Sequence, residues 1–386
     1  MIRCAIVPAV VVLAVLAGGA AAEAQPAPRV TLDVVVSPAP GLRPDPGAAH
    51  GRLAVGADGT YYVLLNGYAE SSGARIELVA IGPGGVEKMR TTLPVRLPVD
   101  STGFAVQSMG VAVSRAGDLA VVVSGQGQTA LFRLGADGRL LKVSEIAPPA
   151  VGVRFGGEDY YQLRHYVATP DDALLLAGGY GSGPYSWWLG KFSLDGARMW
   201  QQGPSRGFPD SVNAVRARPQ GSGADGSWIA ILEEQRNENM TLDCFLDRYA
   251  ADGRRLARAR LAVSGCYTAV VLDEGSIVAG HGSGQPARSE LVFLDDDGKV
   301  THRTPWPFDD VDWMIADGSG LAAIVTERPT ADSSKAVVRA DARGALRWKS
   351  PAGGVSDIAR TPDGRIAALV WETAPPRVRL IVYADP

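Results

Sequence analysis

Residues 166–202 read YVATPDDALLLAGGYGSGPYSWWLGKFSLDGARMWQQ and contain two tight-turn signals, PDD at 170–172 and LDG at 194–196. Apolar runs flank both signals, and a Gly-rich stretch at 178–184 separates the two halves. Turns of this kind between apolar runs indicate hairpins, because Gly adopts positive φ at little cost and Asp tolerates it. The stretch therefore predicts four short antiparallel strands at 166–168, 173–177, 187–193 and 198–202.

Similar signals recur along the whole chain in two interleaved series. Within one series, successive signals start about 43 to 59 residues apart, a spacing typical of propeller blades. The first series comprises ADG 57–59, AGD 116–118, PDD 170–172, ADG 224–226, DEG 273–275, ADG 316–318 and PDG 362–364. The second comprises PGG 83–85, ADG 136–138, LDG 194–196, ADG 251–253, DDG 296–298 and ARG 342–344.

The two series predict an all-β fold, a seven-bladed β-propeller of four-stranded antiparallel blades. The seventh unit has strands at 356–360, 365–371 and 377–383 but no outer strand, whereas the strand at 30–36 (VTLDVVV) has no unit. We expect these pieces to form one composite blade, because ring closure removes unpaired strand edges. The predicted units are 48–100, 101–151, 152–209, 210–263, 264–311, 312–354 and 355–386, the last completed by 30–36.

The N-terminus has the features of a secretory signal peptide. Arg3 precedes an apolar run at 6–16, and small residues at 20–24 offer cleavage sites, of which the one after Ala24 fits best. The alternative is an N-terminal membrane anchor. We therefore expect a signal peptide at 1–24, a linker at 25–46 that contains the closing strand, and the propeller at 47–386, in a periplasmic or secreted bacterial protein.

Charge and cysteine content limit the classes of partner. The 386-residue chain has a net charge of −3 and a pI of about 5.9, which argues against a nucleic-acid partner. No further run is apolar and long enough for a transmembrane segment.

Beyond the signal peptide only Cys244 and Cys266 remain, so an exported protein would pair them in one disulfide. The alternative is two separate buried thiols. We expect a monomer.

The stretch 173–202 resembles the repeats of secreted bacterial quinoprotein-like and related propellers, which run apolar strand, Gly-Gly, apolar strand, Asp-Gly, Trp. Residues 343–350 (RGALRWKS) repeat its end, so the motif is present at Trp200 and Trp348. The resemblance implies the fold. The chain lacks the adjacent cysteine pair seen in many quinone-cofactor dehydrogenases of that group. The absence of this pair weighs against that enzyme class. The fold alone does not assign an activity.

The connection at 148–165 is a candidate binding segment, because long loops in compact domains are often functional. Its mixed charges and two tyrosines suit a peptide or a polar ligand, although a simple cover over the channel mouth is equally compatible. The candidate residues are Arg154, Glu158, Asp159, Tyr160, Tyr161, Arg164 and His165.

A second candidate is the segment 305–313 (PWPFDDVDW), which should join the fifth and sixth units beside the channel mouth. Aromatic rings with carboxylates predict a lip that binds a cation or a sugar. The alternative is aromatic packing between blades with solvated acids. The candidates here are Trp306, Asp309, Asp310 and Asp312. Aligning the inner strands also places Asp357 in one register with Arg52, His165 and Thr268, where such groups could line the channel entrance.

The sequence offers no metal site, because its four histidines lack ligand spacing, and it contains no Gly-x-Ser-x-Gly elbow. The catalytic residues and the cofactor stay unassigned. We expect an exported binding or scaffold module whose partner is a protein, peptide or glycan rather than a small cofactor. The alternative is a channel-mouth enzyme, either a quinone-cofactor oxidoreductase or a metal-assisted lyase or hydrolase. It would need His165, Asp357 and the acids of 309–312 to converge on one pocket.

Overall fold

The computed structural model describes residues 26–40, 43–44, 52–69, 73–95, 108–125, 128–146, 161–169, 171–180, 186–202, 212–222, 227–236, 242–261, 268–282, 289–318, 320–327, 334–351, 353–373 and 375–386. Within these ranges the chain forms 29 β-strands in seven antiparallel sheets. The predicted all-β, seven-bladed propeller is therefore confirmed.

Each blade follows the same plan, from an inner strand at the channel to an outer strand at the rim. Blades 1 to 4 contain the following strands: β2 (Arg43–Pro44), β3 (Leu53–Val55), β4 (Tyr61–Ala69), β5 (Gly73–Ile81) and β6 (Glu87–Thr92) in blade 1; β7 (Ser108–Val113), β8 (Leu119–Gly125), β9 (Gln128–Leu134) and β10 (Leu140–Glu145) in blade 2; β11 (Tyr161–Thr169), β12 (Ala173–Tyr180), β13 (Ser186–Ser193) and β14 (Arg198–Gln202) in blade 3; β15 (Val212–Ser222), β16 (Trp228–Arg236), β17 (Leu242–Tyr249) and β18 (Arg255–Leu261) in blade 4.

Blades 5 to 7 repeat this order. They contain β19 (Thr268–Val271), β20 (Ile277–Gly282), β21 (Ser289–Leu294) and β22 (Val300–Trp306) in blade 5; β23 (Asp310–Ala316), β24 (Gly320–Thr326), β25 (Lys335–Asp341) and β26 (Leu346–Lys349) in blade 6; β27 (Gly354–Arg360), β28 (Ile366–Thr373), β29 (Pro376–Ala384) and β1 (Arg29–Val36) in blade 7.

The N-terminal strand closes the ring as expected. Strand β1 pairs antiparallel with β29, with Val30 opposite Tyr383 and Val36 opposite Val378. The inner strands contact one another in sequence around the channel, and β27 of blade 7 contacts β3 of blade 1. The last blade is thus built from both ends of the propeller chain.

The inner edge of blade 1 starts earlier than the sequence indicates. Strand β2 lies inside the stretch 37–46 that the sequence assigns to a linker, yet it pairs with β4 at Tyr68 and Gly67. Strand β3 pairs with the other end of β4. Blade 6 likewise begins at Asp310 rather than at residue 312, because the connection after β22 is only three residues long.

The tight turns explain the sequence pattern. Twelve of the thirteen signals lie in the described ranges, and each contains one residue with positive φ. Eleven of these residues are glycines, and the twelfth is Asp172 (φ 55°), whose carboxylate accepts a hydrogen bond from the backbone of Arg115 in blade 2 at 2.8 Å. Because both series of turns join strands at the same end of a blade, they form one face, which we call the turn face. The other connections form the opposite, connection face.

Seven buried apolar clusters hold the ring together, one between each pair of neighbouring blades. At the rim, the second-series turn of one blade rests on the outer strand of the blade before it. A Cβ on Gly253 would come within 2.7 Å of the Trp200 ring, and one on Gly85 within 2.9 Å of Val34 in β1. The closing strand therefore fills the place of an outer strand at the junction of blades 7 and 1.

A cation five residues before the turn glycine ties neighbouring blades on the turn face. In blade 6, Arg339 donates to Asp317 of its own first turn at 2.5 Å and to Asp385 of blade 7 at 2.6 Å. In blade 3, the buried Lys191 donates to Asp171 at 2.6 Å and to a carbonyl of blade 4. Arg133 in blade 2 and Arg248 in blade 4 occupy the same position and make equivalent contacts. We call these four residues the inter-blade cations.

Candidate functional site

The connection between β10 and β11 carries the first set of sequence candidates on the connection face. Arg154, Glu158, Asp159 and Tyr160 lie outside the described residues. Tyr161, Arg164 and His165 belong to β11, in which Tyr161 lies opposite Tyr180 and His165 opposite Ala177. The expected loop at 148–165 is therefore too long by five residues, because the inner strand of blade 3 begins at Tyr161.

Trp306 is a core residue rather than a surface residue. Only 2% of its surface is exposed, its ring meets Phe308 edge-on with centroids 5.6 Å apart, and its indole N–H donates to the Gly344 carbonyl of blade 6 at 2.8 Å. The prediction that Trp306 offers its ring to a ligand is wrong. The alternative, aromatic packing between blades, describes this residue correctly, because an indole buried at such an interface needs a hydrogen-bond partner.

Asp357 is also buried and joins two blades. It is 2% exposed, and its two carboxylate oxygens accept hydrogen bonds from the backbone N–H groups of Leu53 and Ile358, both at 2.9 Å. Thr268, in the same register of blade 5, accepts one from the Met314 N–H of blade 6 at 3.2 Å. These polar groups link inner strands of adjacent blades. Asp357 therefore links two blades, and its place in a binding or catalytic pocket stays a prediction.

The three acids of the second candidate segment lie within four residues of one another at the connection face. Asp309, Asp310 and Asp312 are all half-buried at the start of β23. The Asp309 N–H donates to the Thr326 carbonyl at 2.9 Å, and the Asp310 carboxylate accepts from the Val311 N–H at 2.8 Å. All three residues thus remain partly exposed to solvent.

Asp312 owes its orientation to a β-bulge. The register of β23 against β24 shifts between Val311 and Trp313, which makes Asp312 the extra residue. Such bulges re-aim a side chain out of the ladder. The Asp312 carboxylate accepts a hydrogen bond from the Thr326 hydroxyl at 2.9 Å and lies 3.5 Å from the Lys335 ammonium, with 22% of its side chain exposed.

Trp313 is the aromatic residue that the sequence interpretation did not select. It follows the bulge on the inner strand of blade 6, is half-buried, and packs against the apolar cluster between blades 6 and 7. Both tryptophans of PWPFDDVDW fit the aromatic pattern equally well. What distinguishes them is that the Trp306 ring is buried against blade 6 and donates its N–H to the Gly344 carbonyl there.

Cys244 lies at the start of the third strand of blade 4 and is fully buried in the cluster between blades 4 and 5. Cys266 lies outside the described residues, so the Cys244–Cys266 disulfide stays a prediction. Across the described ranges, no group of three or more His, Cys, Asp or Glu side chains is arranged to hold a metal ion. The same ranges contain no helix of the length and hydropathy needed to cross a membrane.

The chain is similar to solved propeller structures in fold alone. Its sequence matches no family model and shows no significant similarity to a curated protein. An ulvan lyase of the polysaccharide lyases superposes with a TM-score of 0.53 at 11% identity, covering 88% of this chain and 93% of that one. The propeller domain of the trilobed protease from Pyrococcus furiosus gives 0.51 at 10% identity, with 91% and 95% covered. The Dos1 propeller gives 0.50 at 12% identity, with 89% and 95% covered.

Proposed function

We propose that this protein is an exported binding or scaffold module that captures a protein, peptide or glycan partner on its connection face. Residues 1–24 would direct export and be removed after Ala24. The seven blades would then act as a rigid support for the connections that make the contact. Binding residues in many folds lie on loops held by such a scaffold.

The two faces of the ring have different constructions, and this supports the assignment of the binding surface. On the turn face, the connections are short, and the inter-blade cations tie one blade to the next. On the connection face, the segments between strands vary in length, and the one at 146–160 carries both charges and two aromatic residues. Variation in length and chemistry is characteristic of a recognition surface.

The observation that carries the proposal is the group of half-buried acids, Asp309, Asp310 and Asp312, beside Trp313 at the inner end of blade 6. The bulge holds Asp312 away from the regular ladder, and Thr326 fixes its carboxylate. An indole with adjacent carboxylates suits a cationic side chain or a sugar hydroxyl. A partner peptide with lysine or arginine at its contact point would satisfy this lip.

The proposal is tested by removing charge without changing shape. In the double variant Asp309→Asn, Asp310→Asn the carboxylates become amides, so the Val311 N–H keeps an acceptor oxygen. The matched control is Asp137→Asn, Asp252→Asn, which alters two exposed acids of the turn face. Each protein would be cross-linked in its native compartment and its partners quantified by mass spectrometry. We expect the lip variant to lose its main partner by about tenfold, as for loss of a charged hydrogen bond, and the control to keep it.

Two results would count against the proposal. If the lip variant keeps every partner of the wild-type protein at unchanged yield, this segment is not the contact. If N-terminal sequencing of purified protein finds Met1 rather than Gln25, cleavage after Ala24 is wrong and the export assignment loses its basis. A Tyr160→Ala, Tyr161→Ala variant tests the other candidate segment in the same assay.

A further inference from the structure

We propose that the rim of blades 3 to 6 binds a linear acidic polysaccharide. The binding surface consists of the four consecutive outer strands β14, β18, β22 and β26, which we call the rim band. It lies on the outside of the ring, away from the connection face. The proposal therefore goes beyond the function assigned above, and either one can fail alone.

The rim band has an unusual composition for this protein. Its strands contain seven arginine and lysine residues but neither aspartate nor glutamate, in a chain with 38 basic and 41 acidic residues. The outer strands of the other three blades each contain an acid, namely Glu87, Glu145 and Asp33. Charged residues protect strand edges from aggregation, but either sign serves that purpose. The basic residues of the band are Arg198, Arg255, Arg258, Arg260, Arg303, Arg347 and Lys349.

These cations are held in place but stay accessible to solvent. Arg260 pairs with Asp243 at 2.6 Å and keeps 62% of its side chain exposed, and Arg303 pairs with Glu290 at 2.6 Å with 36% exposed. The acids lie one strand inward, so they orient the guanidinium groups along the rim. Exposed ion pairs contribute little free energy, so an incoming anion can share these cations at small cost. Arginine also binds carboxylates and other oxyanions through two parallel hydrogen bonds.

Apolar side chains are interspersed with the charges. Met199, Leu256 and Val300 lie on three of the four strands, with 56%, 45% and 38% of their surfaces exposed. A polysaccharide with a carboxylate or sulfate on every one or two sugars presents the same alternation, because sugar rings have apolar C–H faces between their charged groups. This mixed composition thus favours a glycan with dispersed charge over a densely charged polymer.

The overall charge and the shape argue against other polyanions. A net charge of −3 and a turn face rich in aspartate repel nucleic acid, whose binding proteins concentrate positive charge. The rim is convex and the band follows it across four blades. A flat membrane would touch only part of such a curve, whereas a flexible chain can follow all of it.

The test compares two triple variants that each remove three exposed cations. Arg198→Ser, Arg303→Ser, Arg347→Ser removes one exposed cation from each of three strands of the rim band. The matched control, Arg29→Ser, Lys88→Ser, Lys142→Ser, neutralises the three other blades of the same rim. Binding of full-length protein to chondroitin sulfate, alginate, neutral dextran and single-stranded DNA would be measured over a range of salt concentrations, and a melting curve would establish that each variant is folded.

We expect the wild-type protein to bind at least one of the two acidic polysaccharides, with an affinity that falls as salt rises, and to ignore dextran. The rim-band variant should bind about tenfold more weakly and with a shallower salt dependence, because fewer counterions are released. The control should change less than about twofold. Binding to neither acidic polysaccharide, an equal loss in both variants, equal binding to dextran, or a preference for DNA would each overturn the proposal.

Discussion

The Asp357 carboxylate of the last blade accepts a hydrogen bond from the Leu53 N–H of the first blade at 2.9 Å. Its second oxygen accepts from the Ile358 N–H at the same distance. The two residues are 304 positions apart in sequence, so this contact exists only in the closed ring. It joins the inner strands at the junction where the chain begins and ends its circuit, and the closing strand β1 joins the rim of the same junction.

Replacing Asp357 with alanine should therefore destabilise the fold strongly. The substitution leaves two backbone N–H groups in a buried site without their acceptor, and we expect a loss of about 2 to 4 kcal/mol in the free energy of unfolding. The matched variant Thr268→Val removes one neutral hydrogen bond in the same register and should cost about 1 kcal/mol. Urea unfolding followed by tryptophan fluorescence measures both. Equal midpoints for Asp357→Ala and the wild-type protein would show that the contact does not support the ring.

Gly85 and Gly364 provide a matched test of the closing strand. Both have positive φ, at 82° and 81°, so an alanine meets the same backbone strain at either position. A Cβ on Gly364 meets nothing within 4 Å, whereas one on Gly85 comes within 2.9 Å of Val34 and 3.0 Å of Leu32 in β1. Gly85→Ala should thus cost about 1 kcal/mol more than Gly364→Ala, the usual scale of mild overpacking.

A second substitution locates the origin of that difference. Val34→Ala makes room for the new methyl group, so the double variant Gly85→Ala, Val34→Ala should be more stable than the sum of the single effects predicts. Additive effects, or equal losses for the two glycine variants, would mean that β1 does not pack on this turn in solution.

Most of the fold is readable from the sequence because turn chemistry is local. These hairpins need a residue with positive φ at a fixed position, and all twelve signals whose turn residue the structure describes carry one there. Strand β2 cannot be predicted in this way, since a two-residue strand in a proline-rich stretch has no periodicity of its own. Its residues pair with β4 only because the ring brings them to its edge.

The site residues were harder to predict, because burial is not a local property. Trp306 and Trp313 lie in the same short motif. Trp306 fills the space between two blades, whereas Trp313 is partly exposed on the inner strand of blade 6. The alignment of the inner strands makes Asp357 a candidate for the channel entrance, although polar residues at that level are also common without a function. Its role depends on the N–H of Leu53, which no sequence pattern places beside it. The inter-blade cations do have a signal, a fixed offset of five residues from the turn glycine.

The inter-blade cations should differ greatly in their contribution to stability. Arg339 is 9% exposed at its side chain and pairs with the fully buried Asp317, so Arg339→Met removes a buried partner of a buried carboxylate. Such a change typically costs about 3 to 5 kcal/mol. Arg133 occupies the same position in blade 2, but its side chain and those of its partners Asp118 and Asp195 are 32%, 26% and 48% exposed. Arg133→Met should cost less than about 1 kcal/mol.

Thermal unfolding of the two methionine variants decides this comparison. Both substitutions shorten the side chain by the same amount and remove the same charge, so the two variants are matched in the chemical change. A similar loss of stability in both would mean that burial does not govern the contribution of these cations. High salt should reduce the stability loss caused by Arg133→Met more than the loss caused by Arg339→Met. The reason is that salt screens exposed ion pairs much more than buried ones.

The first-series turn of blade 7, PDG at 362–364, should contribute a pH-dependent part of the free energy of unfolding. Hydrogen bonds from Arg365 and Thr361 lower the pKa of Asp363 from 3.8 to about 2. The same Arg365 donates to the Thr31 hydroxyl in β1 at 3.0 Å, so Asp363 helps to position a contact with the closing strand. Because the pKa is depressed in the folded protein, the stabilisation is fully present above pH 3.8 and disappears as the pH falls through about 2.

The variant Asp363→Asn isolates this group. Since the carboxylate is largely exposed, the stability difference from the wild-type protein at neutral pH should stay below about 1 kcal/mol. The difference should be constant from pH 7 to 4 and shrink below that range. Urea titrations at several pH values measure it, and a difference that grows on acidification would contradict the assigned shift.

The disulfide prediction concerns the connection face directly. Cys244 begins the third strand of blade 4, and residue 266 precedes the inner strand of blade 5, so a bond between them would tie a strand start to an inter-blade connection. It would close a loop of about 20 residues and stabilise the protein by on the order of 3 kcal/mol in the chain-entropy model. Reduction or Cys266→Ser should lower the unfolding midpoint accordingly, and the double variant Cys244→Ala, Cys266→Ser should match the single one. Titration of the denatured, non-reduced mature protein should find no thiol. Two thiols in that experiment would exclude the bond, and Cys244 would then be a buried apolar residue of the cluster between blades 4 and 5.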